Sequence, residues 1–279
     1  MIIMPFFSII TICYNAEDEI VRTIESVKNQ ICLDYEYIII DGKSKDRTCD
    51  IVQTYKDVFG NKCIFISEPD TGIYNAMNKG IDKAIGNWMI FLNAGDTLFD
   101  KHILGKVKKF LKENSDTQIL YGDVICKYKN LYKKIECLEI EKICEKMIFC
   151  HQSSLIRKDI MKLYKYNENY KISADYDFFL RAYLDGLRFR YIKLNVSVFA
   201  LGGISSSGAQ RLLEEYIEIR YKNKVINEAE HRRLLEVLYI NSKRNKIRNI
   251  IKRIMPNIVI EFVRRYKLRK DGYIYNLNP

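Results

Sequence analysis

The chain has 279 residues, 48% of them apolar, and sets 46 lysines and arginines against 35 acids for a formal net charge of +11. That length suits one large domain or a domain with a helical tail, and the apolar share fills a core. Four prolines and thirteen glycines exclude a low-complexity or collagen-like chain, and no run reaches the roughly 18 apolar residues of a membrane span.

The eight cysteines (Cys13, Cys32, Cys49, Cys63, Cys126, Cys137, Cys144 and Cys150) include no CxxC pair and no zinc spacing. No charged segment of signal-peptide type precedes Phe7. Reduced thiols in a cytoplasmic protein are expected, most of them small core hydrophobes. The positive charge belongs to the tail. Between Ser242 and Lys270 stand Lys243, Arg244, Lys246, Arg248, Lys252, Arg253, Arg264, Arg265, Lys267, Arg269 and Lys270, opposed only by Glu261.

Phe6 to Ile12 is an apolar run of strand length, and Glu19 to Gln30 follows at helical spacing through Ile20, Ile24 and Val27. Tyr35 to Ile40 reads as a second strand ending at Asp41-Gly42, and Asp46 as the cap of a helix through Ile51, Val52 and Tyr55. Cys63 to Ile66 is a third strand, Asn75 to Ile85 a helix, and Trp88 to Leu92 a fourth strand ending in Asn93-Ala94-Gly95-Asp96. Alternation of this kind predicts a parallel sheet with helices on both faces, ligands binding at the carboxyl ends of the strands. Beyond Asp100 the pattern predicts a helix over 103–111, a hairpin of 118–128 and 131–135 around Tyr121-Gly122-Asp123, a helix over 173–184 and a strand over 188–200. Gln210 to Ile251 reads as one charged helical segment, broken by Pro256 from a basic amphipathic helix over 258–268.

Four clusters carry the chemistry. Tyr14, beside Cys13 and Asn15, and Asp41, beside Lys43, stand at neighbouring strand ends. There an aromatic ring faces a base, and a carboxylate accepts from an imide N–H or a ribose hydroxyl; the plain alternative is a turn. Ser67 to Gly80, with two acids (Glu68 and Asp70), a glycine and Lys79, joins a strand to a helix whose free N–H groups suit an anion, with Lys79 either on phosphate or in solvent. Asp96 closes an apolar strand and either holds Mg²⁺ or Mn²⁺ or caps the next helix. Asp175 and Asp177 flank a helix start, one suited to be a general base and the other a cap. His151-Gln152 reads first as structural, and Gly202 to Gly208 as either a lid or a linker.

In order and spacing, the segments FSIITICYN, YIIIDGKSKDRT, SEPDTGIYNAMNKGI, MIFLNAGD, FCHQSSLIR and SADYDFFLR resemble the family 2 glycosyltransferases over about residues 6–207. Within that family, GIYNAMNKGI is similar to bacterial polysaccharide and lipopolysaccharide transferases. The resemblance implies an α/β GT-A fold, with a catalytic domain over 1–208 (nucleotide-sugar half to about 100, acceptor half beyond) and a helical, basic region over 209–279. It implies an inverting hexosyl transfer from a nucleotide-diphospho-sugar, UDP-linked by preference, with a divalent metal, Mn²⁺ or Mg²⁺. By position, Asp175 is the base and Asp96 the last acid of the metal motif. Donor contacts fall at Thr11, Cys13, Tyr14, Asn15, Asp41, Lys43, Asp70, Tyr74, Asn78, Lys79, Asn93, Ala94, Gly95, His151 and Gln152. Two departures stand out: Gly42 replaces the second of two adjacent acids, and the metal motif keeps Asp96 alone.

The tail, with Ile254, Ile258, Phe262 and Leu268 at helical spacing among cations, is expected to lie on an anionic membrane face from the cytoplasmic side, near a glycan or lipid-linked acceptor. The 210–251 segment is a candidate oligomer interface. A dinucleotide enzyme is excluded by the missing GxGxxG. A nucleotidyltransferase lacks its glycine-rich basic loop after strand one. A nucleic-acid binder leaves the strand-end acids repelling phosphate, so no nucleic acid is expected.

Overall fold

The computed structural model describes residues 4–201, 209–253, 270–272 and 274–275. Strand β1 (Phe7–Cys13) has all seven residues buried, since it has neighbours on both edges and helices on both faces. It pairs in parallel with β2 (Tyr35–Asp41) on one edge and β4 (Trp88–Phe91) on the other, and β2 pairs in parallel with β3 (Cys63–Ser67). Helices α1 (Ile20–Lys28), α2 (Thr48–Phe59) and α3 (Ile73–Lys83) make the crossovers. The chain therefore winds outward through β2 and β3 and returns to lay β4 on the opposite edge of β1. That reversal opens a crevice at the carboxyl ends of these strands.

Alternation along β1 divides the core in two. Ile10 and Ile12 face one cluster, with α3 and the later helices, while Phe7, Ile9 and Cys13 face the other. α1 enters the second cluster with Ile20, Ile24 and Val27, one stripe of its surface. Each such burial contributes about 1.5–3 kcal/mol.

Beyond β4 the sheet is mixed. A short β5 (Thr97–Leu98) and α4 (Ile103–Glu113) lead into β6 (Ile119–Tyr128), which pairs antiparallel with β7 (Leu131–Ile135) and with β8 (Ser154–Arg157). β8 in turn pairs antiparallel with β4, joining the two halves. After α5 (Lys158–Tyr164) and α6 (Ala174–Leu184), β9 (Phe189–Ala200) runs parallel along β6 and takes β5 antiparallel. α7 (Ala209–Lys222), α8 (Glu228–Arg253) and β10 (Ile274–Tyr275), which adds to β7, complete the described chain.

Two expectations need correction. The β6–β7 turn lies at Lys129-Asn130, with Lys129 at φ 53°, and Tyr121-Gly122-Asp123 runs inside β6. Gly122 is there because β9 bulges against it: a Cβ would meet the Leu194 carbonyl and the Ile192 and Val196 side chains. The segment over 210–251 is two helices, because Lys224 turns left-handed (φ 59°) and Asn227 Oδ1 accepts the Glu230 N–H, capping α8. The helix expected over 258–268, and the lid or linker over 202–208 with the boundary at 208, lie outside the described residues. α7 packs back on the first core cluster through Ile219, 0% exposed.

Candidate active site

At the ends of β1 and β2, Tyr14 holds its ring 58% exposed while Asp41 is 0% exposed. Asp41 turns its carboxylate onto its own surroundings. It accepts the Ser44 hydroxyl, the Ser44 N–H (2.9 Å), the Ser67 hydroxyl (2.6 Å) and the Cys49 thiol (3.2 Å). Burial works against its charge, but these donors outweigh it and hold the carboxyl below the usual range. Asp41 thus ties β2, β3 and α2 together and leaves no open acceptor for a ligand.

The acid that faces the cleft is Asp70. Its Oδ1 accepts the Gly72 N–H at 3.0 Å, and its Oδ2 stands where a side chain on Gly42 would begin; the Tyr14 ring borders the same space. A glycine at 42 makes room for a carboxylate delivered from the β3–α3 loop. The site so far is an aromatic platform with one partly exposed acid beside it.

Asn15 and Lys43 shape the neighbouring loops, both at positive φ, with Asn15 Oδ1 accepting the Lys45 N–H (2.8 Å). Cys13 is buried under Asp41, and burial foremost, with that carboxylate next, pushes its thiol up. Thr11 lies deeper still, sealed in the core with its hydroxyl on Tyr37 (3.0 Å), and is not a ligand contact in this arrangement. Lys79 closes the β3–α3 loop through the Pro69 carbonyl (2.6 Å) and Glu68 (2.9 Å). Asn78 is engaged on both sides with the main chain of Tyr166 and with Glu168. These two scaffold the site.

After β4, Gly95 adopts φ +100°, and the Arg22 guanidinium stands over its face. Asp96 is 3% exposed and turned inward, where its Oδ1 accepts the Ala200 N–H from β9 at 2.9 Å. Burial is the main cause lifting its carboxyl to about 7, against the Ala200 N–H, Arg22 and Gln152. Asn93 Oδ1 is buried and without a hydrogen-bond partner. One inward carboxylate already bonded, one neutral amide oxygen and a glycine do not make a site for a hard divalent cation, which takes several oxygens and usually a free carboxylate. Among the described residues no group of three or more His, Cys, Asp or Glu could hold a metal. The expected Asp96 metal ligand does not fit the residues present, because Asp96 serves as the joint between the β4 loop and the end of β9. Ala94 is part of that loop, its N–H on the Ile12 carbonyl.

Across the cleft, Asp175 sits in the first turn of α6, partly exposed. Its Oδ1 accepts the Tyr176 N–H (2.9 Å) and the Tyr74 hydroxyl (3.1 Å), which also reaches the Ile172 carbonyl (2.6 Å). Burial raises its carboxyl to about 6 despite those two bonds. Tyr74 orients this carboxylate; it is a buried side chain of α3, not part of the open surface. Asp177 is the structural acid of the pair, buried and bonded to Arg181 Nε at 2.9 Å. His151 stacks on Phe91 and bonds the Tyr166 hydroxyl (2.6 Å), and burial lowers it to about 3, so it stays neutral. Gln152 bridges Cys150 and Asp96. Sequence reasoning missed Arg22, Tyr166, Glu168 and Glu215. No local motif marks them: Arg22 reaches the β4 loop from α1 and Glu215 the stretch before α6 from α7, while Tyr166 and Glu168, just ahead of α6, bond Asn78 on α3.

Solved structures share this fold. S. aureus TarS 1-349 in complex with UDP-GlcNAc superposes with a TM-score of 0.61 at 19% identity, covering 84% of this chain and 71% of that one. The mannosyltransferase PcManGT from Pyrobaculum calidifontis, in complex with GDP-Man and Mn²⁺, gives 0.62 at 14% identity over 81% and 66%. The fold is the GT-A fold of nucleotide-sugar transferases. Residues 8–184 match the model of glycosyl transferase family 2, and the chain belongs to that family. A PGL/p-HBAD biosynthesis glycosyltransferase of Mycobacterium bovis (strain BCG / Pasteur 1173P2) is 32% identical over 206 residues, 73% of this chain and 80% of that protein. An uncharacterized glycosyltransferase of Methanocaldococcus jannaschii is 26% identical over 238 residues, 79% and 81%. The chain is a glycosyltransferase, and the nucleotidyltransferase and nucleic-acid-binding alternatives give way to that.

Proposed function

We propose that this glycosyltransferase moves a sugar from a UDP-sugar to an acceptor hydroxyl with inversion, Asp175 acting as general base. The observation that carries the reading is the Asp175 carboxylate itself: partly exposed at the cleft, oriented by Tyr74, and raised to about 6 by burial. Such a group is ionised at neutral pH yet basic enough to accept a proton in the transition state. Asp175 takes the acceptor's hydroxyl proton as that oxygen bonds to the anomeric carbon and the bond to the diphosphate breaks on the opposite side.

On the donor side, the exposed Tyr14 ring stacks on the base, and Asp70, rather than Asp41, accepts from its imide N–H or from the ribose. Arg22 at the β4 loop faces the diphosphate charge. No step runs through a protein-held metal. PcManGT is in complex with Mn²⁺ together with GDP-Man; the residues present here suit an ion that arrives with the donor's phosphates better than one the protein holds alone.

The acceptor is a glycan or lipid-linked glycan at the cytoplasmic face of a membrane. The basic tail supports this, as do Val237 and Ile240, exposed on α8. Among the described residues no helix is long and apolar enough to cross a membrane. Sedimentation with anionic liposomes, comparing the whole chain with one truncated after Ser242, tests the placement; equal binding removes it.

Asp175→Asn tests the base. A drop in turnover of about 10²–10⁴-fold with UDP affinity retained supports the role. Near-normal turnover ends it.

A further inference from the structure

The family match stops at residue 184, yet a side chain beyond it grips the main chain that leads into Asp175. Glu215 on α7 is 9% exposed. Its Oε1 accepts the Lys171 N–H at 2.8 Å, and its Oε2 accepts the Ile172 N–H at 3.0 Å and the Ser173 N–H at 2.9 Å. Arg211 Nε adds a fourth donor at 3.1 Å. Three successive main-chain amides closing on one carboxylate form an anion nest whose anion comes from the protein. The charge-assisted bonds are of the strong kind. Burial opposes the Glu215 charge, but the amides and Arg211 outweigh it and hold the carboxyl below its usual range.

The gripped residues stand immediately before α6. The Ile172 carbonyl on the same stretch accepts the Tyr74 hydroxyl that also orients Asp175. α7 is itself seated firmly: Ile219 is in the core, and the Tyr216 ring lies 4.3 Å from that of Tyr176 on α6.

We infer that Glu215 is a positioning residue for Asp175, fixing residues 171–173, so that α7, beyond the family domain, completes the active site. This rests on the reading of Asp175 as the base. The role is more than structural because the Glu215 carboxylate, held charged by its four donors on the stretch leading into Asp175, adds to the burial that raises the Asp175 carboxyl. Among the described residues, other titratable groups acting on it include Tyr74 from α3, Tyr166 ahead of α6, Tyr216 from α7 and Cys150 before β8, all with raised hydroxyls or thiols and therefore neutral. Glu215 is the charged one among them.

The test uses the full chain with Glu215→Gln, Glu215→Asp and, as a control on the same helix, Glu218→Gln. Amide hydrogen exchange at 171–173 and the carboxyl NMR titration of Asp175, assigned with Asp175→Asn, are followed together. The inference expects slow exchange in the wild type and at least tenfold faster exchange in Glu215→Gln. It also expects the Asp175 midpoint to fall in Glu215→Gln, return in Glu215→Asp and stay unchanged in Glu218→Gln. Fast exchange at these amides in the wild type overturns the inference even if Glu215→Gln fails to fold. An unmoved Asp175 titration in a folded Glu215→Gln overturns it too. Wild-type turnover by Asp175→Asn instead sinks the base assignment and leaves the exchange result intact, so the two failures are told apart.

Discussion

Asp41 and Asp70 show how alike two acids look in a sequence and how differently a fold uses them. Asp41-Gly42 reads as an open strand end, but Ser44 folds back and Ser67 arrives from the next strand, closing the carboxylate in. Asp41→Asn should therefore cost stability, by about 1–3 kcal/mol at pH 7 for a buried acceptor lost from a charged network. Its folded pKa is depressed, so its contribution is present above the unfolded value near 4 and is lost as pH falls through the folded one. Thermal melts of wild type and variant should begin to converge as pH falls below about 4 and meet only below the depressed folded value. Asp70→Asn should leave the melt unchanged and weaken UDP binding about tenfold, the scale of one bond to a charged group, as read by calorimetry. What was legible here was the acid-bearing strand ends. Which acid faces outward was not, because Ser67 and Gly42 set it through contacts between separate strands.

The elements themselves were readable where one strand repeats one physical pattern. β1 and β2 are buried at every position, as a strand covered on both faces must be, and the helix α1 between them shows one apolar stripe. The second half hid its pattern. Gly122 carries the mark of a turn but serves the bulge of β9, and the break between α7 and α8 depends on Lys224 and Asn227, which read as ordinary helix-surface residues. The loop after β4 is the element whose sequence misled most about chemistry, since the end of β9 draws Asp96 inward. Calorimetry of the nucleotide-free protein should accordingly show no Mn²⁺ binding at micromolar concentrations, whereas a tight site in the free protein would mean that Asp96 turns outward. At α7, Ile219→Ala should destabilise the whole fold by about 2–5 kcal/mol, as for a core residue. A melt that loses only a small, separate transition would instead make the helical pair an independent unit.

Across the whole molecule, on the proposed reading, a half wound in parallel presents Tyr14 and Asp70 to the donor, and a second half delivers Asp175 on the buried helix α6. The burial that makes α6 a fixed platform is also what lifts the Asp175 carboxyl, so packing and reactivity have one cause. The measurement that tests this most directly is the pH dependence of kcat/KM for nucleotide release in wild type and Asp175→Asn. The account predicts a wild-type rate that falls as pH drops through about 6, where Asp175 becomes protonated and stops accepting the acceptor's proton. It also predicts a variant that is slow throughout and lacks that limb. An unchanged limb in the variant, or wild-type turnover without Asp175, would contradict it.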